Sequence, residues 1–97
     1  IIPKECIHNA HMYYVKLRDL KQRTQFLSYM RENDICSVFH YIPLHSSSAG
    51  MKYGVFHGED IYTTIESERI ARLPMYYGLS EKDREYVIKK VVDFFDE

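Results

Sequence analysis

Ninety-seven residues, 45% of them apolar and 28% charged, suffice for one small hydrophobic core and not for two. A net charge of −1 removes the electrostatic case for nucleic acid or an anionic membrane as partner. Cys6 and Cys36 are too few for a disulfide framework and wrongly spaced for a zinc knuckle.

The two thiols are expected to be free, with at least one buried. No apolar run of about 18 residues and no secretory pattern occurs, so a soluble, cytoplasmic chain is expected. The sequence opens Ile1-Ile2-Pro3 without a methionine, and is expected to be processed or cut from a longer protein. Nine tyrosines and no tryptophan fit either a partner-facing surface or the lining of a small sheet.

Residues 11–17, aromatic and β-branched, predict a strand. Asp19 is placed to cap a helix, with Gln22 three residues on, and Leu20, Phe26, Leu27 and Met30 give that helix its apolar face through Glu32. Asn33 and Asp34 end it. Ile35 to His40 is apolar on both faces and predicts a central strand.

Tyr41 to Asp60 shows no period and reads as one long loop carrying Gly50, Gly54, Gly58, a serine triplet at 46–48, His45 and His57. Long irregular loops in small domains are usually functional or disordered. Tyr53 and Phe56 argue against disorder because both rings need a surface to pack on. Thr63 and Glu66 form a capping-box pair that opens a short helix to about Arg72, stopped by Pro74. Leu73 to Tyr77 predicts a short edge strand, and Gly78 a turn. Ser80 with Asp83 caps a last helix striped by Val87, Ile88, Val91, Val92 and Phe95. The order predicts a single α+β domain over 1–97, a sheet of about three strands with helices on one face.

Candidate chemistry is sparse. His40 and His45 are five residues apart across Pro43, so no single helix presents both, and on one strand they would face opposite sides. Cys6, His8 and His11 match no familiar metal spacing. Ser46, Ser47 and Ser48 beside His45 lack a nucleophile-elbow turn, and the glycines lack a P-loop lysine. No catalytic, cofactor-binding or metal-binding residue is assigned on these grounds. Lys16 to Arg23 reads as a solvated basic surface.

Four strings are nevertheless specific: HNAHMYYVKLRDL (8–20), VFHYIPLHSS (38–47), FHGEDIYTT (56–64) and ESERIARLPMYYGLS (66–80). In this order and at these separations they resemble the C-terminal segment of the DegT/DnrJ/EryC1/StrS sugar aminotransferases, over roughly residues 8–95. The resemblance implies the small C-terminal domain of an aspartate-aminotransferase type of fold. The parent would be a dimer that uses pyridoxal phosphate to move an amino group, typically from glutamate, onto a keto carbon of a nucleotide-linked sugar. It implies that the Schiff-base lysine and most of the cofactor site lie in a large domain preceding these residues. This segment alone would then be inactive and bind no cofactor.

What it would contribute is the substrate side, with Tyr41 and His45 contacting the nucleotide sugar and His40 supporting them from behind. Arg69 would tie its helix to the sheet, and Pro74 would set the strand after it. A domain separated from its large partner is also expected to expose an apolar patch. The alternative is a free-standing binding or interaction module without catalysis.

Overall fold

The computed structural model describes residues 2–96. The elements run β1 (Tyr13–Lys16), α1 (Leu20–Glu32), β2 (Val38–Phe39), a 3-10 turn (Leu44–Ser46), α2 (Ser48–Tyr53), α3 (Thr63–Arg69), β3 (Ile70–Leu73) and α4 (Glu81–Asp96). The α+β class and the three-strand sheet expected from the sequence are both observed.

The identity of the central strand is a correction. Sheet order is β1-β3-β2, antiparallel throughout, with Val15 opposite Ala71, Tyr14 opposite Arg72 and Val38 opposite Arg72. The middle strand is therefore Ile70–Leu73, of which the sequence pattern places 70–72 at the end of a helix and Leu73 at the start of an edge strand. Helix α3 stops at Arg69, and Ile70 is already extended at φ −89°, ψ 129°. From there Ala71 and Leu73 alternate into the core while Arg72 points the other way. Within 35–40 only Val38 and Phe39 join the ladder, as an edge, and both remain about 40% exposed or more. Apolar runs too short to carry a period cannot distinguish these roles. Residues 74–77 form no strand, because Pro74 has no N–H to give a ladder.

Helix α1 packs against one face of β3 and β2 and against α3 and α4. Its start is as expected: the Asp19 carboxylate accepts the Gln22 N–H at 2.8 Å, while the Gln22 side chain accepts the Arg18 N–H at 2.8 Å. At its end Asp34 takes a positive φ of 59°. Leu17, Phe26, Met30, Ile35 and Ala71 are the buried core, with Val15, Leu27, Leu73, Val87, Val91 and Phe94 packed around them.

Helix α4 is capped by Ser80, whose hydroxyl oxygen accepts the Asp83 N–H at 3.0 Å. It turns Val87, Val91 and Phe94 inward, and the Phe94 ring meets Phe26 edge-on at 5.1 Å. Phe94 was not part of the expected stripe. Ile88, Val92 and Phe95, which were, stay at least half exposed. Both cysteines are exposed, against the expectation that one is buried. Ile35 and Ser37 take the inward positions and leave Cys36 between them facing out. Among the described residues no helix is long and apolar enough to cross a membrane.

Arg69 joins helix to sheet as expected. Its Nε donates to the Leu17 carbonyl at 2.9 Å, and its own carbonyl accepts the Leu17 N–H at 2.8 Å.

Candidate functional site

The segment from Tyr41 to Asp60 is not one irregular loop. Pro43 leads into the 3-10 turn, and Ser47 then caps α2: its hydroxyl oxygen accepts the Gly50 N–H at 2.9 Å and its O–H donates to the Leu44 carbonyl at 2.8 Å. Ser47 thus marks the boundary between the 3-10 turn and α2, and the Ser46 hydroxyl donates to the Pro43 carbonyl at 3.2 Å. Gly50 is obligatory here, since a β-carbon at that position would lie 1.7 Å from the Leu44 carbonyl oxygen. Absence of a long hydrophobic period hid two short elements that are held by caps rather than by burial.

His45, on the 3-10 turn, reaches across to the start of α3. Its Nε2 lies 2.7 Å from Asp60 Oδ2, and its ring stacks on Phe56 at 4.4 Å between centroids. Asp60 also accepts the Thr64 N–H at 3.2 Å and the Thr64 hydroxyl. These Thr64 bonds, with a smaller contribution from His45, hold the Asp60 carboxyl below the usual aspartate range. The expected Thr63–Glu66 capping box is therefore replaced. Asp60 caps α3 from outside, Tyr62 makes no side-chain cap, and Glu66 turns away to Lys16 and Arg69. Asp60 is the residue the sequence reading missed, although an aspartate just ahead of a helix start is a recognisable cap.

His40 and Tyr41 leave β2 on the side where Arg72 emerges. The Tyr41 ring is 71% exposed; it meets the His40 ring edge-on at 5.0 Å and lies under the Arg72 guanidinium, 5.5 Å from Cζ to ring centroid. His40 Nδ1 is sealed from solvent without a hydrogen-bond partner. His45 is only 20% exposed through its side chain and already engaged. Two hollows flank the segment. One of about 780 Å³ is lined by His45, Gly50, Tyr53 and Phe56, and another of about 320 Å³ by Arg23, Tyr41, Pro43 and Thr64. The three expected site residues thus divide: Tyr41 with His40 on one side, His45 on the other.

The second histidine group is occupied locally. His8 Nδ1 accepts the Ala10 N–H at 3.0 Å, and His11 Nδ1 lies 2.6 Å from the Asn9 side-chain oxygen. Among the described residues no three His, Cys, Asp or Glu side chains gather as metal ligands.

The structure is thus a small α+β domain, a three-strand antiparallel sheet with α1 packed on it and an exposed aromatic segment on its rim. The chain belongs to the DegT/DnrJ/EryC1/StrS aminotransferase family, whose model matches residues 2–92. It is also similar to a pleiotropic regulatory protein of Geobacillus stearothermophilus, 23% identical over 96 residues that make up 98% of this chain and 26% of the relative. The chain thus spans about a quarter of the length of that relative.

The cofactor general to this family, pyridoxal phosphate, finds no fitting site in the described residues. A lysine that forms an imine must be desolvated and easily deprotonated. Lys4, Lys16, Lys21, Lys52, Lys82 and Lys89 are all exposed, and Lys90 lies beside Asp93 and over the Tyr86 ring. Asp93 raises the Lys89 pKa, which is the opposite of what imine formation needs. Lys16 is paired with Glu66.

Proposed function

We propose that this chain is the small C-terminal domain of a pyridoxal-phosphate-dependent nucleotide-sugar aminotransferase and supplies part of its substrate side. The parent enzyme transfers an amino group from glutamate to a dTDP-4-keto-6-deoxyhexose. Its product is of the dTDP-4-amino-4,6-dideoxygalactose type used in enterobacterial common antigen, made by a cytoplasmic homodimer whose large domain holds the cofactor.

The observation that carries this reading is Tyr41. It is a large aromatic side chain left mostly in solvent beside an arginine, on a segment that caps and the His45–Asp60 contact hold in place. Exposed but ordered aromatics suit stacking on a base or sugar, because little conformational freedom is lost on binding. His45 remains a candidate contact through the hollow it lines, and its Nε2 bond to Asp60 sets the segment's position. His40 supports Tyr41 from behind. The exposed apolar residues of α4 and of Met75 to Tyr77 suit a domain that packs against further protein.

The test is to incubate the intact parent protein with pyridoxal phosphate, glutamate and a dTDP-4-keto-6-deoxyhexose, and to look for the amino sugar by mass spectrometry. Formation of the product with release of 2-oxoglutarate supports the reading. A soluble, cofactor-loaded parent that forms none refutes it.

The similarity to a pleiotropic regulatory protein favours a second reading, a domain that binds a ligand without turning it over. That reading expects saturable binding of the nucleotide sugar by the intact protein with no product.

A further inference from the structure

Arg72 has a cation that nothing in the described residues neutralises. It stands at the centre of the sheet, on the face opposite the core, between Tyr14 on β1 and Val38 on β2. Directly opposed residues of antiparallel strands share a face, so the guanidinium emerges among Tyr14, Val38 and the Tyr41 ring. Its Nε is sealed from water without an acceptor, as is Nδ1 of His40, whose ring meets the same Tyr41 ring. Glu66, the carboxylate that pairs with Lys16 of β1, is shared between Lys16 and Arg69 and makes no ion pair with Arg72. A half-desolvated guanidinium without a counter-ion is costly to retain, and an aromatic face compensates it only in part.

We propose that Arg72, with Tyr41 and Tyr14 as its walls, is an oxyanion-binding position for a small-molecule ligand. A guanidinium presents paired N–H donors in a fork that matches a phosphate or a carboxylate, and flanking rings offer faces for the rest of the ligand. The oxyanion belongs to the nucleotide diphosphate or to the carboxylate of the amino donor. The inference rests on the reading above that this rim faces substrate, and it gives that rim a charge-recognising residue that sequence patterning did not single out.

The experiment measures binding of inorganic pyrophosphate, dTDP and glutamate to the intact protein and to its Arg72→Gln and Arg72→Lys variants. Gln is expected to weaken at least one of the three by tenfold or more. Lys, which keeps the charge and loses the fork, is expected to weaken the same one by a smaller factor. Loss confined to pyrophosphate and dTDP assigns the site to the diphosphate; loss confined to glutamate assigns it to the donor carboxylate. All three constants within twofold of wild type overturn the proposal and leave Arg72 to an acidic group of a protein partner. Should the Gln variant fail to fold, judged by its melting curve, the Lys variant decides by the same twofold limit. A wild-type protein that binds neither dTDP nor glutamate defeats the proposed function instead. Pyrophosphate then decides Arg72 alone, and no pyrophosphate binding overturns both.

Discussion

Gly50→Ala is the most informative single change, because it separates the candidate site from the core. The new methyl would sit 1.7 Å from the Leu44 carbonyl oxygen, against 3.4 Å for ordinary contact. The obstacle is backbone, so no rotamer relieves it. Either the 3-10 turn or α2 must move, and with it the Gly50 N–H bond to Ser47 at 2.9 Å. Overpacking costs about 1–3 kcal/mol and loss of a serine cap about 1 kcal/mol.

The combined cost of about 2–4 kcal/mol falls on a six-residue helix that cannot stand on its own propensity. It should not fall on the core, since neither the turn nor α2 contains a buried residue and α2 packs chiefly on the turn. Hydrogen exchange with mass spectrometry on peptides covering 44–54 should therefore speed up by about 30-fold or more. The melting temperature of the chain should move by less than about 4 °C. A drop of more than about 8 °C, or protection in 44–54 that is unchanged, would refute the argument that this segment is a locally held unit.

Three further outcomes follow from the same geometry. Phe26→Ala removes a fully buried ring that meets Phe94 edge-on; it should cost about 3–5 kcal/mol of roughly 5–15 available, seen as a large fall in the urea midpoint. Asp60, its pKa lowered chiefly by the Thr64 hydroxyl and N–H, contributes stability that is present above the ordinary aspartate value near about pH 4 and is lost as pH falls through its depressed folded value. Thr64→Val should flatten that acid limb in a comparison of pH titrations, and an unchanged limb would assign the effect elsewhere. Borohydride treatment of this chain with pyridoxal phosphate should give only scattered, non-saturating labelling of lysines; one saturable adduct at a single lysine would contradict the exposure of those side chains.

Elements that carry their own local signal were readable from the residues. Asp19 and Ser80 with their partners at the third position mark the starts of α1 and α4, because a cap is a bond between near neighbours. Family membership was legible in four strings spread over the chain. Elements whose identity depends on distant partners were not readable. Ile70–Leu73 follows a helix and precedes a proline, and only pairing with β1 on one side and β2 on the other makes it the centre of the sheet. The Thr63–Glu66 pair had the spacing of a capping box, yet Asp60 reached the helix start first and Glu66 found Lys16 across the sheet.

The candidate site divides in the same way. Sequence alone singled out Tyr41, His45 and His40 and the unusual composition of the segment between β2 and α3. It could not say that His45 closes onto Asp60 while Tyr41 stands open beneath Arg72, contacts between residues 15 and 31 positions apart in the chain. Residue type and short-range spacing determine which groups can bond and where helices begin. Which charge meets which, and which cation is left without a partner among the described residues, is decided only when β3 is threaded between its neighbours and brings Arg72 beside Tyr41.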